Sequence, residues 1–164
     1  MPEKQMITRV PASVLLVRLL VGAVFLSEGI QKFVFANELG VGRFARIGIP
    51  APDVMGPFVG VVEIVAGSLV LLGLFTRPAA FVLLLNISVA IVSTKIPILL
   101  GHGFWMFSAP KPPYGFWSMA HEARVDFCMW LGCLFLMAAG AGPFSGDAHL
   151  LQRTSGGEEG PRGS

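Results

Sequence analysis

VMGPFVGVVEIVAGSLVLLGLF, residues 54–75, carries a single charge, that of Glu63, in an otherwise uncharged and largely apolar stretch. Its length suits the ~20 residues with which a helix crosses ~30 Å of hydrocarbon. Within it Gly60, Glu63 and Gly67 fall at i, i+3 and i+7, which places them on one helical stripe. Gly56 adds a GxxxG spacing with Gly60, and such stripes mark close helix contact in membranes. Glu63 is therefore expected to face the interior of a bundle.

Three further stretches of similar length surround it: about 12–33 before it, and 78–100 and 124–143 after it. Thr76 and Arg77 alone join the second span to the third, and Pro78 then opens a helix where its missing N–H costs little. The predicted fold is all-α, an integral membrane four-helix bundle over residues 1–147 with both termini on the same side, followed by a disordered tail over 148–164. Composition agrees. Of 164 residues 13% are charged and 54% hydrophobic, with a mean hydropathy of +0.71, against roughly a quarter charged in soluble domains. This length holds one domain and leaves no room for a separate soluble catalytic module. A net charge of +2 with no Lys/Arg run is too small and too scattered to imply nucleic acid, and no nucleic-acid partner is expected.

Lys4 and Arg9 precede an apolar run, as in a signal peptide. Arg18 interrupts that run, which then continues for a full span with no clear small-residue cleavage site, so an uncleaved first helix is expected. The positive-inside rule does not set the orientation. Lys4, Arg9, Arg18, Arg77, Arg153 and Arg162 on the terminal side balance Lys32, Arg43, Arg46, Lys95, Lys111 and Arg124 on the other. The expected location is the cell inner membrane, multi-pass, with cytoplasmic termini.

Alternating the four spans brings Glu28, Lys32, Glu63, Lys95, Arg124 and Asp126 into one leaflet. From the helical rise, Glu28 and Glu63 both lie roughly 6 to 9 Å below that surface. Charge at membrane depth is costly, and it normally faces a bundle interior or cavity where it is kept for function. On the first helix Arg18, Gly22, Phe25, Gly29 and Lys32 form a stripe comparable to that of Gly60 and Gly67, and Glu28 can pair with Lys32 at i, i+4. Structural readings stand beside these. Glu63 can be tied to Arg124 or Lys95 for bundle specificity, Glu28 and Lys32 can be an interfacial pair, and Lys95 can snorkel to water. Arg18 reads as a structural residue reaching the near interface, with Asp147 as its partner, and Arg77 as an anchor in a tight turn.

Redox and metal signals are weak. Cys128 and Cys133 are five apart on one helix and point about 140° apart, so they form neither a disulfide with each other nor a CxxC centre. His102, His121 and His149 show no metal-ligand spacing, and no metal is expected. No GxGxxG, P-loop, GxSxG or HExxH occurs, so nucleotide, acyl-transfer and zinc-protease chemistry have no support. Two longer connections cover the charged end. Residues 36–53 carry Gly40, Gly42, Gly48, Pro50 and Pro52, and residues 101–123 carry Phe104, Trp105, Phe107, Tyr114, Phe116 and Trp117 around Lys111-Pro112-Pro113. The aromatics are read as an interfacial anchor in preference to a substrate lid.

The pattern Arg18-x3-Gly22-x2-Phe25-x3-Gly29-x2-Lys32 resembles the opening signature of the DoxX-like membrane proteins. Gly60-Val-Val-Glu63-Ile-Val-Ala-Gly67 followed by Leu71-Leu72-Gly73-Leu74-Phe75-Thr76-Arg77 resembles their second-helix signature. Glu122 and the run Gly140-Ala-Gly142-Pro143-Phe144-Ser145-Gly146-Asp147 resemble the family's ending. The resemblance spans about Leu15 to Asp147. It implies a four-helix membrane protein in a family that includes a subunit of thiosulfate:quinone oxidoreductase and components of membrane oxidoreductase complexes.

The leading expectation is a quinone-linked membrane oxidoreductase, or a subunit of one, with quinone as the cofactor. Glu63 and Glu28 would be catalytic, taking or giving protons. Lys32, Arg124 and Lys95 would stabilise charge developing on a quinone oxygen or hold a small oxyanion, with Asp126 and Glu122 in the same substrate-binding group. Gly22, Gly29, Gly60, Gly67, Arg18, Arg77 and Asp147 would be structural. Expected partners are membrane lipid, a soluble or membrane redox subunit that supplies electrons, and further copies of the chain as a homo-oligomer. The alternative is a non-enzymatic membrane carrier or assembly factor that binds a small solute or a partner helix.

Overall fold

The computed structural model describes residues 12–109 and 111–148. His149 and the expected tail from residue 149 onward lie outside the described residues, as do Lys4 and Arg9. The described chain folds into α1 (Val14–Val34), α2 (Val41–Ile47), α3 (Pro52–Leu72), α4 (Thr76–Leu100) and α5 (Phe116–Ala139). It forms no strand, only an isolated bridge between Phe104 and Phe107. α1, α3 and α4 are long and apolar enough to cross a membrane.

The last helix differs from the sequence reading at both ends. It begins at Phe116, not near Arg124, and stops at Ala139 because Gly140 leaves helical geometry with φ 78°. The four residues His121, Glu122, Arg124 and Asp126 thus sit inside its first half, and α5 is not among the apolar candidate spans. The 36–53 connection also contains an element the sequence did not announce: the short α2, closed by Gly48 in the left-handed region with φ 84°.

Close packing of α1 on α3 organises the bundle. A Cβ added at Gly22 would lie 2.9 Å from the Gly67 carbonyl oxygen, and one at Gly29 would lie 2.7 Å from that of Gly60. Glycine at these four positions is therefore what lets the two backbones approach, as in small-residue membrane interfaces. α4 packs on α3 and on α5, whose Trp130 Nε1 donates to Ser88 Oγ at 3.1 Å. Val21, Phe25, Val70, Leu83 and Leu136 are buried at the centre, while Leu16, Val54, Phe58, Leu72 and Leu85 face outward. Large apolar side chains on the outside are costly in water and favourable in hydrocarbon.

α4 is not uniform. Over Ile91–Lys95 it widens into a π-turn, and the Ile96 N–H donates to the Ile91 carbonyl five residues back. Pro97 follows. Having no N–H, Pro97 denies the Ser93 carbonyl its ordinary partner, and the wide turn is a local solution to that gap.

One end of the bundle is tied by charge. Arg18, 2% exposed, donates to the carbonyls of Val70 (3.0 Å), Leu71 (2.7 Å), Ala141 (3.1 Å) and Phe144 (2.5 Å). The first two belong to the last turn of α3, whose carbonyls lack helical donors. Its hydrogen bonds thus go to carbonyls, while Asp147, the partner the sequence suggested, acts on it through charge alone. That carboxylate instead accepts from the backbone N–H groups of Phe75 (2.8 Å) and Thr76 (3.2 Å) and so caps α4. Arg77 donates to the Ala138 carbonyl at 3.3 Å, joining the start of α4 to the end of α5.

Candidate functional site

At the opposite end the helices part around a cavity of about 460 Å³. Its charged lining is Glu28 and Lys32 from α1, Arg43 from α2, Glu63 from α3 and Asp126 from α5. The cross-helix pair at its centre follows from the glycine contact. α1 and α3 run antiparallel, Gly22 against Gly67 and Gly29 against Gly60, so Lys32 and Glu63 lie one turn to either side of the Gly29 and Gly60 contact; the long lysine side chain spans that interval, and Lys32 Nζ lies 2.5 Å from Glu63 Oε2. Asn86 of α4 donates its Nδ2 to Glu63 Oε1 at 2.7 Å, so both carboxylate oxygens are held. The two side chains of the pair are 11% and 6% exposed.

This arrangement replaces two sequence expectations. Lys32 pairs with Glu63 across the helix contact, while towards Glu28 it makes only a 3.5 Å hydrogen bond to the backbone carbonyl. Glu63 is held by Lys32 and Asn86, not by Arg124 or Lys95. Lys95 is buried behind the cavity wall and pairs with Asp126 at 3.0 Å. The carboxylate of Glu28 lines the cavity with no hydrogen bond or ion pair among the described residues.

Arg124 and Glu122 do not join this group. The early start of α5 puts both on exposed turns, where Arg124 donates to the His121 carbonyl one turn back. Glu122 instead borders a second cavity of about 540 Å³ with Lys111, Trp117 and His121. His102 is exposed and uses Nδ1 on the Gly103 carbonyl at 2.8 Å. Among the described residues no group of three or more His, Cys, Asp or Glu gathers. Cys128 is exposed, Cys133 is buried, and both are free.

Several lining residues had escaped the sequence reading. Asn86 is one, and as an amide within an apolar span it offered a signal. Arg43 is another, and its place depends on the path of α2 alone. Ser93 and Thr94 come to the wall from the π-turn, each donating its hydroxyl to the Ala90 carbonyl (3.2 and 2.6 Å). Met106 and Phe107 roof the cavity from the 101–115 connection, and the Ser108 N–H fixes that roof to α2 by donating to the Ile47 carbonyl at 3.0 Å. This part of the aromatic connection therefore acts as a cover, whereas Trp105 (81%) and Trp117 (83%) are exposed as interfacial anchors would be.

Met55, Val89 and Val125 line the cavity and are also exposed on the outer surface. Its rim is thus apolar and its inner end polar. The volume falls in the ~300–1,000 Å³ range of small-molecule sites, which are mostly apolar with a few placed polar groups.

Comparison with known proteins places the chain in a wider set. A family profile described as DoxX matches residues 13–96. An uncharacterized membrane protein of Mycobacterium tuberculosis is 52% identical over 145 residues, covering 88% of this chain and 85% of its own length. No solved structure matches the chain.

Proposed function

The chain belongs to the DoxX family of membrane proteins, and on that footing we propose that its cavity binds the headgroup of a quinone and that the protein is a quinone-linked oxidoreductase or a subunit of one. The carrying observation is a cavity with an apolar exposed rim and hydrogen-bonding groups at its inner end. A lipid-dissolved molecule with a polar head fits that polarity, and its tail would leave past Met55 and Val89. Lys32 and Asn86 would hold the headgroup oxygens. A quinone supplies the redox chemistry, taking up two electrons and two protons to become a quinol. The chain's own part is to position, to exclude water and to deliver protons. Glu28, unpaired at the wall, and Glu63, held by Lys32, are the groups placed to do so. Electrons come from a partner subunit, soluble or membrane-bound.

In this reading α5 is the fourth span, both termini lie on the same side, and the membrane is the cell inner membrane with cytoplasmic termini. The apolar second half of α5 and its packing on α4 support its reading as a span.

The test is quinone reduction by membranes or detergent-purified protein, wild type beside Glu63→Gln, with thiosulfate and a panel of small reductants. Activity in the wild type that is lost in an inserted, folded variant supports the proposal. No activity in either, together with no quinone co-purifying, refutes it and turns attention to the carrier or assembly alternative.

A further inference from the structure

Among the described residues the cavity is lined by one cation, Arg43, that makes no hydrogen bond or ion pair. Arg18, Arg46, Arg77 and Arg124 each donate to backbone carbonyls. Lys32 and Lys95 each have a carboxylate. Arg43 alone among the described arginines has neither a hydrogen bond nor an ion pair, and it lines the cavity from α2. It is only partly exposed. Helix α2 is held in place independently of that side chain. Phe44 is buried, Val41 packs against Gly56 of α3, and the Ile47 carbonyl takes the Ser108 N–H. A guanidinium kept unpaired on a fixed helix, at the edge of an apolar chamber, offers two parallel donors to a carboxylate or oxyanion.

We propose that the α2 end of the cavity is an anion subsite, with Arg43 the counter-charge for a ligand bearing a carboxylate or an oxyanion group. The remaining charges of the chamber set where that group sits. Glu63 is neutralised by Lys32 and Asp126 by Lys95, so the unpaired Glu28 is the one carboxylate that repels the ligand. The anionic group therefore binds at Arg43 and away from Glu28. A quinone is neutral and does not need this charge, so the inference goes beyond the quinone reading and stands or falls apart from it.

The same chemistry has two sources, a small soluble anion and the phosphate of an anionic lipid. The experiment separates them without any quinone. Full-length protein in a neutral detergent is titrated with benzoate, sulfate and inorganic phosphate and followed by calorimetry. In parallel, its thermal stability is compared in bilayers of phosphatidylcholine with and without phosphatidylglycerol. The proteins are wild type, Arg43→Gln, Arg43→Lys and, as control, Arg46→Gln, which lies on the same helix. Losing a charge-assisted contact is expected to weaken binding about tenfold to a hundredfold in Arg43→Gln. Arg43→Lys should fall between, Arg46→Gln should match wild type, and raised salt should weaken wild type and Arg43→Lys but leave the residual binding of Arg43→Gln unchanged. Binding of the soluble probes assigns the subsite to a free anion, and stabilisation only by phosphatidylglycerol assigns it to lipid phosphate. Equal response of wild type and Arg43→Gln, or no response to any probe, overturns the proposal.

Discussion

Glu63→Gln would leave the Lys32 ammonium buried at 11% exposure without a counter-ion, and Lys32→Met would do the same to a carboxylate at 6%. Breaking a buried pair from one side costs about 3 to 5 kcal/mol, because the surviving charge stays desolvated and unpaired. The Gln variant keeps an oxygen able to accept from Asn86, so the loss reports on Lys32 and not on the 2.7 Å amide contact. Removing both charges together spares the orphan, and the double variant is expected to be about 3 kcal/mol more stable than the sum of the singles predicts. The assay is reversible unfolding in mixed micelles, followed by helical circular dichroism, for wild type, both singles and the double. Singles that add within about 0.5 kcal/mol would show that the two groups are not coupled, as distant sites are not. In that case the Lys32 head reaches water and the 2.5 Å pair has no energetic meaning.

Other outcomes follow from contacts elsewhere. Gly29→Ala places a methyl 2.7 Å from the Gly60 carbonyl and is expected to cost about 1 to 3 kcal/mol by overpacking in the same micelle assay. Asp147→Ala removes the acceptor for the Phe75 and Thr76 N–H groups and should cost about 0.5 to 2 kcal/mol, with Asp147→Asn recovering most of it. Asn86→Leu should leave the helical signal intact while reducing quinone turnover at least as much as Glu63→Gln does; full turnover in a folded variant removes Asn86 from the proposed site.

The two glycine stripes made the α1 and α3 contact legible, since Gly22, Gly29, Gly60 and Gly67 read directly as a close approach. That contact also contained the pairing of Lys32 with Glu63, although i, i+4 spacing pointed Lys32 at Glu28 instead. Local spacing favours the neighbour on one helix, while the facing helix is set by tertiary packing. Lys95 was placed in the cluster, but its pairing with Asp126 was hidden for a different reason. An extra residue in the Ile91–Lys95 turn rotates everything after it by about 100°, so a regular helical period misplaces its side chain. Arg124 and Glu122 were drawn into the site because the apolar run alone suggested where the last helix begins, and polar residues in its first turns carry no such signal. Arg43 had no readable mark, since neither α2 nor its angle to α3 is written in a hydrophobic period.

Arg18 draws carbonyls from the end of α3 and from the segment after α5 to a single point. For helices tied at one end, a given tilt displaces the far tip most. Leu71 sits at the pivot and Met55 at the tip, about 24 Å away along α3. A tilt of about 5° there carries the rim by about 2 Å over that lever arm and leaves the pivot bonds nearly unstretched. The polar cluster at Arg18 therefore fixes the end of α3 that lies farthest from the cavity rim, and any tilt of α3 about it would be felt most at Met55.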